Sequence, residues 1–395
     1  MSHPLYFQWG VSAVFGWGVY GLNLLYNWPK AAGGAKAVCG SQIHIESLTG
    51  MDVLRLNALA PILVASDQDR PRLNAMAEAG ERFDGFALHS MGNNFSGSAQ
   101  PGATYLKGNV TAGVTFFEDT TLHNAKAYCS DFSVIVTGST WGEEILRSKG
   151  VENVATVIQG IDPSLFHPAP RFGSMSNRFT IFSGGKMEFR KGQDLVVQAF
   201  RIFAARHPEA LLITAWNSPW QHGAVSLNHS GKLAPIVLED DAKVNLPKWL
   251  TANGLQPGQF FDLGSVSNHF MGRILREMDV AVFPNRCEGG TNLVAMECLA
   301  SGVPTIVSDN TGHKDLVATG APYILNRQGP VAAAGIGTEG WGESDVDEIV
   351  EALEQAYTDR AEARRRGAAG VAAMASLTWE GQIAQLHRTL ASYCP

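Results

Sequence analysis

The segment with the clearest chemical potential runs from Phe283 to Asp309, where a strand-like apolar run leads into a loop and then a helical stretch. The loop Glu288-Gly-Gly-Thr291 consists largely of small residues, which allow backbone N–H groups to approach a ligand. Either Thr291 or Asn292 can cap the helix that follows. Because a helix N-terminus attracts anions, the segment predicts a site for phosphate or another anion.

Two carboxylates flank this loop, Glu288 within it and Glu297 in the predicted helix. Next to a phosphate, a carboxylate is unfavourable by charge alone. Carboxylates are useful there when they accept hydrogen bonds from hydroxyl groups, as in sugars and ribose. The alternative is a capping loop with two solvated acids.

A second segment, residues 182–193, gathers three cations among three glycines, again after a strand and before a helix. The cations are Lys186, Arg190 and Lys191. Opposite a helix N-terminus they could bind a diphosphate, and a solvated basic turn is the alternative. The two segments together, in one half of the chain, are more specific than either alone.

The first half offers weaker signals. Residues 16–21 form a literal G-x-G-x-x-G, which holds a dinucleotide only if an acid closes the next strand, and residues 36–51 give no such strand. His89 ends a predicted strand, with a core histidine as the alternative. Glu118 follows another strand and could accept from hydroxyls or stabilise developing positive charge, with a helix-capping acid as the alternative.

Apolar runs of strand length alternate with amphipathic stretches, which predicts βαβ units and mostly parallel sheets. The expected strands are Tyr6–Val14, Met51–Leu56, Phe83–Leu88, Gly113–Phe117, Phe132–Thr137, Phe179–Ser183, Ala210–Trp216, Phe260–Leu263, Val280–Pro284 and Thr305–Ser308. The expected helices include 192–207, a single helix over 344–366 capped by Ser344, and 379–393. Residues 329–342 are expected to form a flexible loop.

Residues 5–28 carry no formal charge and are long enough to suggest a membrane span. Their polar residues and glycines, and the lack of a positive segment before them, favour a buried strand, a Gly-rich turn and an apolar helix instead.

Composition narrows the function further. The 395 residues are 45% hydrophobic with a net charge of −7, which argues against nucleic acid as the main partner. Five cysteines without a C-x-x-C pair, and scattered histidines, give no case for a disulfide framework or a metal site. A reducing cytosol fits this cysteine usage best. Two prolines in residues 167–170 suit a linker between two domains.

Taken together, these motifs resemble the retaining GT-B glycosyltransferases of family 4. Gly185-Lys186 through Lys191-Gly192 is similar to their Gly-Arg…Lys-Gly phosphate element, with lysine where arginine is usual. Glu288 to Glu297 resembles their Glu-x7-Glu motif, but eight residues separate the two acids here, so we expect a loop one residue longer. Residues 158–168 resemble the family's hinge sequence.

The resemblance implies an α/β fold of the GT-B class, with two Rossmann-like doubly wound parallel-sheet domains facing across a cleft. It implies an acceptor-binding domain over 1–168, a nucleotide-sugar donor domain over 169–375, and a helix over 376–395 that crosses back to the first domain. The Gly-rich loop after the first strand would face the donor phosphate and the acceptor.

Site roles follow from the same resemblance and from the residues above. Lys186 and Lys191 would contact the donor diphosphate, Glu297 the ribose and Glu288 a hydroxyl of the transferred sugar. The expected catalytic residues are Glu288, Lys186, Lys191, Glu118 and His89. The expected donor-binding residues are Gly16, Gly18, Gly185, Arg190, Gly289, Gly290, Thr291, Asn292, Leu293 and Glu297.

The implied reaction is hexosyl transfer from a nucleotide-diphosphate sugar, UDP- or GDP-linked, to an acceptor hydroxyl with retention of configuration. No metal, other cofactor or protein nucleophile is expected. A glycan, a lipid-linked acceptor and a protein all remain open as the acceptor. A cytoplasmic location is expected, and association with the inner membrane face remains open. The alternatives are a nucleotide-sugar epimerase of the same architecture, a nicotinamide-dependent oxidoreductase, and a non-catalytic nucleotide- or carbohydrate-binding module.

Overall fold

A computed structural model describes residues 3–97, 99, 103–331, 333 and 335–394. The chain folds into two compact units. Unit 1 comprises Met1–Asp162, Ser267–His269 and Leu377–Pro395, and unit 2 comprises Pro163–Val266 and Phe270–Ser376.

Unit 1 is built on a six-stranded parallel sheet in the order β2-β1-β3-β4-β5-β6. Its strands are β1 (Leu5–Gln8), β2 (Ala37–Cys39), β3 (Arg82–Met91), β4 (Lys107–Thr115), β5 (Val134–Thr137) and β6 (Val154–Thr156). The helices of the first 162 residues are α1 (Gly16–Ala31), α2 (Val53–Glu78), α3 (Ala125–Cys129) and α4 (Thr140–Ser148). The central strands are buried on both faces, which explains their unbroken apolar runs.

The predicted glycine turn is wrong, because β1 ends at Gln8 and helix α1 begins at Gly16. Gly18 and Gly21 instead let the helix pack closely on the preceding segment. A Cβ at Gly18 would lie 2.3 Å from Ser12 Cβ, and one at Gly21 would lie 3.1 Å from a Val11 methyl group. This helical placement of the motif argues against a dinucleotide turn.

The predicted strand over residues 51–56 is also wrong, because helix α2 begins at Val53. The Asp52 side chain accepts hydrogen bonds from the backbone N–H groups of Leu54 and Arg55. This N-cap satisfies backbone N–H groups at the start of the helix. The cap, and not the apolar run, therefore determines that the segment is helical.

Unit 2 has a second six-stranded parallel sheet, in the order β12-β11-β10-β7-β8-β9. Its strands are β7 (Phe179–Gly184), β8 (Ala210–Ala215), β9 (Phe260–Asp262), β10 (Val280–Phe283), β11 (Thr305–Ser308) and β12 (Tyr323–Leu325). The helices up to residue 317 are α5 (Gln193–Arg206), α6 (Leu246–Ala252), α7 (Asn268–Leu275), α8 (Leu293–Ala300) and α9 (Lys314–Val317). The core between the sheet and α5 contains Leu195, Phe200, Phe203, Leu212 and Val280.

The end of unit 2 differs from the prediction in two places. Two helices, α10 (Val346–Thr358) and α11 (Arg360–Met374), replace the single predicted one, because Asp359 leaves the helical conformation and caps α11. Asp345, not Ser344, caps α10. The predicted flexible loop is bounded by paired strands β13 (Gln328–Gly329) and β14 (Glu343–Ser344), and its residues 332 and 334 lie outside the described part.

The last helix, α12 (Trp379–Ala391), belongs to unit 1 and packs along α1. The rings of Tyr20 and Trp379 stack at 5.4 Å, and those of Trp28 and His387 meet edge to face at 5.3 Å. The Ile161 N–H donates to the Leu377 carbonyl at 2.7 Å, and the Ile161 carbonyl accepts from the Trp379 N–H at 3.1 Å, which fixes where α12 begins.

Among the described residues, the helices are too short or too polar to span a bilayer.

Candidate active site

The site begins where the strand order of unit 2 reverses, between the adjacent strands β7 and β10. The carboxyl ends of parallel strands at such a point form a natural ligand site. Two loops follow these strands, 185–192 and 284–292, which we call the cation loop and the acid loop. They are joined through the Arg190 carbonyl, which accepts from the backbone N–H groups of Arg286 at 2.7 Å and Cys287 at 3.1 Å.

The join is tight enough to require glycine. Gly192 has φ +69°, and a Cβ there would lie 2.4 Å from the Pro284 carbonyl oxygen. The left-handed backbone and the close approach both exclude a larger side chain without rearrangement. Gly192 therefore positions the cation loop against the acid loop.

The predicted cations and Glu288 come together at this join. Glu288 forms an ion pair with Lys191 and lies 3.4 Å from an Arg190 guanidinium nitrogen. Glu188, which the sequence reasoning missed, bridges Arg190 at 2.7 Å and Lys186 at 2.9 Å. Three cations thus face two carboxylates, which leaves the cluster with one excess positive charge.

Burial increases the effect of these charges, since the Lys191 and Glu288 side chains are only 10% and 7% exposed. Burial alone would raise the pKa of Glu288, but the charges of Lys191 and Arg190 lower it. Likewise, burial would raise the pKa of Glu188, whereas Arg190 and Lys186 lower it to about 2. Burial lowers the pKa of Lys191. Both acids are ionised at neutral pH, and the cluster is suited to an additional anion.

The acid loop is fixed to the turn after β11. The Glu288 backbone N–H donates to Thr311 Oγ1 at 2.9 Å, and its carbonyl accepts from the Gly312 N–H at 3.0 Å. A Cβ at Gly312 would lie 1.8 Å from the Gly290 carbonyl oxygen. Thr311 and Gly312 therefore hold the acid loop in place.

Asn292 is the N-cap of α8. Its φ is +64°, and its side-chain oxygen accepts from the Ala295 N–H at 3.3 Å. Among the other predicted donor-binding residues, Thr291 and Glu297 are also buried. The acid loop thus ends in an asparagine with a left-handed backbone that starts the helix.

A chain of buried side chains links this N-cap to Glu288. Asn292 Nδ2 donates to His313 Nε2 at 3.0 Å, which leaves the proton on Nδ1, 2.9 Å from Ser308 Oγ. Ser308 donates to the Asn285 carbonyl at 2.6 Å, and the Asn285 amide contacts Glu288. Burial lowers the pKa of His313 to about 4, so the ring is neutral at neutral pH.

Arg286 supports the acid loop from beneath and was not predicted. Its side chain is fully buried and makes paired hydrogen bonds of 2.8 and 2.7 Å to Asp194, in the first turn of α5. Its Nε donates to Glu343 at 2.8 Å, and its guanidinium lies 4.2 Å over the Phe189 ring. Arg286 therefore connects both loops, α5 and the β13–β14 hairpin.

The remaining candidates lie in unit 1. His89 is fully buried inside β3, with its Nε2 2.8 Å from the Leu106 carbonyl, and burial lowers its pKa to about 4. Glu118 follows β4 and is half-buried, and its backbone N–H donates to Asn93 at 2.8 Å. Gly16 is the exposed first residue of α1, and Gly18 is buried two positions later. Their proposed roles stay predictions.

Metal-ligating side chains do not gather in groups of three or more anywhere in the described ranges.

Residues 265–386 match a family described as "Family 4 Glycosyltransferase in conflict systems". A mannosylfructose-phosphate synthase from Agrobacterium fabrum is 25% identical over 207 residues, which span 50% of this chain and 42% of that protein. The predicted resemblance to family 4 is confirmed over residues 265–386 by the family match.

Two solved structures show the same fold over nearly the whole chain. The sucrose-phosphate synthase of Thermosynechococcus elongatus has a TM-score of 0.65 and 17% identity, with 99% of each chain covered. Anabaena Alr3699/HepE in complex with UDP and glucose has a TM-score of 0.66 and 12% identity, covering 99% of this chain and 100% of that one. The predicted GT-B fold is confirmed.

Proposed function

We propose that this chain, which has the GT-B fold and whose residues 265–386 match the family 4 glycosyltransferases, transfers a sugar from a nucleotide-diphosphate sugar to an acceptor hydroxyl. The observation that carries the proposal is the join of the cation and acid loops at the strand-order reversal, with Lys191 and Glu288 in contact. The UDP-bound Anabaena structure supports a nucleotide donor for the fold.

The cation loop supplies the leaving-group chemistry. Lys191 and Arg190, together with the backbone N–H groups at the start of α8, stabilise negative charge that develops on the departing diphosphate. Lys186 pairs with Glu188 at 2.9 Å and is 40% exposed, so its ammonium group can exchange this partner for phosphate oxygens. This arrangement supplies the charge stabilisation without a metal ion.

Glu288 changes partner in this mechanism. When the donor binds, its phosphate oxygens pair with Lys191. The Glu288 carboxylate then accepts a hydrogen bond from a hydroxyl of the transferred sugar. Asn285 contacts the same carboxylate and keeps its orientation during the exchange. No protein nucleophile takes part: the acceptor hydroxyl attacks the anomeric carbon on the face that the diphosphate leaves. The new C–O bond forms as the bond to the diphosphate breaks, and the hydroxyl proton passes to the departing phosphate. This front-face attack retains the anomeric configuration.

A thermal-shift screen with UDP, GDP, ADP, TDP and NAD tests the donor site. A ligand at a hundred times its dissociation constant adds about 2.7 kcal/mol, which raises the melting temperature by a few degrees. Stabilisation by one nucleoside diphosphate should be lost in Lys191→Ala and retained in Lys243→Ala, whose lysine is 70% exposed. Stabilisation by NAD alone, or an unchanged response in Lys191→Ala, would contradict the proposal.

Turnover is tested by incubating the protein with the corresponding nucleotide sugar and following release of the nucleoside diphosphate with and without EDTA. Proton NMR of the product reports the anomeric configuration. Release that is insensitive to EDTA and a product of donor configuration are expected. An inverted product would refute the retaining mechanism, and nucleotide binding without release or transfer would leave a binding module.

A further inference from the structure

The carboxyl edge of the unit 1 sheet carries an aromatic cluster. Trp9 directly follows β1, and its ring lies 5.1 Å from that of Trp17 in the first turn of α1. Trp17 meets the ring of Phe116, which directly follows β4, at 4.9 Å and 81°. Tyr20 closes the cluster, 5.6 Å from Trp9 and 6.2 Å from Phe116.

Trp17 and Phe116 are the partly exposed members, whereas Trp9 and Tyr20 are buried beneath them. Gly138, which follows β5, allows this placement, since a Cβ there would lie 2.1 Å from a Phe116 ring carbon. The cluster therefore offers ring surface to a ligand on a fixed support.

Polar groups at the same edge lack protein partners within the described ranges. The indole nitrogen of Trp9 and the hydroxyl of Thr115, the last residue of β4, are buried without a hydrogen bond. Trp9 is 6% exposed and Thr115 is 1% exposed. Because buried polar groups are nearly always satisfied, these two indicate a hydrogen-bonding ligand or ordered water.

The charge at this edge is negative. The segments that follow the six strands contain no lysine or arginine: residues 9–15, 40–52, 92–106, 116–124, 138–139 and 157–162. They do contain acids: Glu46, Asp52, Glu118, Asp119 and Asp162. Arg55, in the first turn of α2, is paired with Asp162 at 2.7 Å and Asp52 at 3.2 Å. Lys126, in α3, is 73% exposed and lies 4.0 Å from Glu152.

We infer that unit 1 binds an uncharged, hydroxylated acceptor, a sugar or glycoside whose C–H face packs on Trp17 and Phe116, and not a sugar phosphate. The inference rests on the proposed function and specifies its acceptor class. A phosphate at this edge would face carboxylates with no unpaired cation in the strand-following segments. The named products of the A. fabrum and T. elongatus relatives are phosphate esters, so this chain would differ from them.

The first test compares glucose with glucose 6-phosphate, and fructose with fructose 6-phosphate, as acceptors for UDP-glucose or GDP-glucose. The donor is the one whose nucleotide stabilises the protein. We expect kcat/KM to be about tenfold higher or more for each neutral sugar, because one unfavourable charge contact costs at least that factor. Equal rates, or a preference for the phosphate esters, would overturn the inference.

The second test needs no turnover. Saturation-transfer NMR with methyl α-glucoside should show transfer to its ring protons in the wild type, and glucose 6-phosphate should show less. The signal should be lost in Trp17→Ala and Phe116→Ala and kept in Tyr393→Ala, an exposed aromatic elsewhere in unit 1. Absence of transfer in the wild type would refute the aromatic site.

The two proposals fail in different ways. Stabilisation by UDP or GDP with preference for a sugar phosphate would refute only the acceptor inference. Glucoside binding at Trp17 without a response to any nucleotide would refute glycosyl transfer, because it leaves the Lys191 site without a donor.

Discussion

Replacing Arg286 with methionine removes the only cation that contacts the buried Asp194 among the described residues. Asp194 is 1% exposed, and both of its carboxylate oxygens accept from the Arg286 guanidinium. Methionine can fill much of the space over Phe189, but it leaves the carboxylate buried and uncompensated. The variant therefore tests whether this pair supports the acid loop.

Breaking a buried pair from one side typically costs about 3–5 kcal/mol. For a unit of this size, each kcal/mol lowers the melting temperature by roughly 2–4 °C, so a fall of about 6–20 °C is expected. Adding Asp194→Asn removes the buried negative charge, and the double variant should recover at least half of the loss. Glu343, 24% exposed, can be solvated in either variant.

Differential scanning calorimetry is the assay, because two units can unfold in separate transitions. The transition that UDP or GDP shifts in the wild type identifies unit 2, and its nucleotide response should weaken in Arg286→Met. Arg365→Ala is the matched control, since its ion pair with Glu362 is on the surface with the arginine 64% exposed. We expect no measurable shift in that variant.

Two outcomes would refute the reasoning. One is a fall of less than about 3 °C in Arg286→Met, which would show that the buried pair contributes little. The other is a double variant as unstable as the single one, which would show that lost packing, not the stranded carboxylate, is responsible.

Three further predictions follow from the geometry. The folded-state pKa of His313 is about 4 and its unfolded value is 6.5, so the unfolded chain binds the proton first and stability falls as the pH drops from 6.5 toward 4. Between pH 6.5 and 5 the loss from this residue is about 2 kcal/mol, and His313→Gln should flatten that part of the pH profile in urea titrations. Gly18→Ala should destabilise unit 1, because its Cβ would lie 2.3 Å from Ser12 Cβ, whereas Gly16→Ala, with nothing within 4 Å, should be neutral or slightly stabilising in thermal melts. Gly312→Ala should weaken nucleotide binding measured by calorimetry, because it displaces the acid loop, whereas the exposed-site control Lys243→Ala should bind as the wild type does. Unchanged binding in Gly312→Ala would contradict that role.

The sequence predicted much of unit 2 near the candidate site. Strand β10 and the start of α8 follow from an apolar run, a small-residue loop and a capping asparagine, all of them local signals. The placement of Lys191 and Glu288 together follows from parallel strands whose carboxyl ends share an edge. The acid loop and the start of α8 could therefore be predicted because neighbouring residues in the sequence determine their structure.

The parts that were missed depend on distant partners. Arg286 and Asp194 are 92 positions apart, and no periodicity links them. Strands β2, β6 and β12 have only three residues each. Their extended conformation depends on hydrogen bonds to the neighbouring strand of the sheet, which the sequence pattern does not show. At the start of α2, the Asp52 N-cap favours a helix over the strand that the apolar run suggested. A search for alternating apolar and polar residues does not detect such a cap.

The return of α12 to unit 1 has a consequence for the order of folding. During synthesis, residues 163–376 must be made after most of unit 1 and before the helix that packs along α1. Until then, the α1 surface that receives Trp379 and His387 is exposed on the nascent chain. Unit 2 is fully synthesised once α11 has been made, so it can complete its core before unit 1 does. A chaperone that recognises unshielded aromatic surface would find its target in the N-terminal unit, and a premature stop after α11 would leave that surface permanently uncovered.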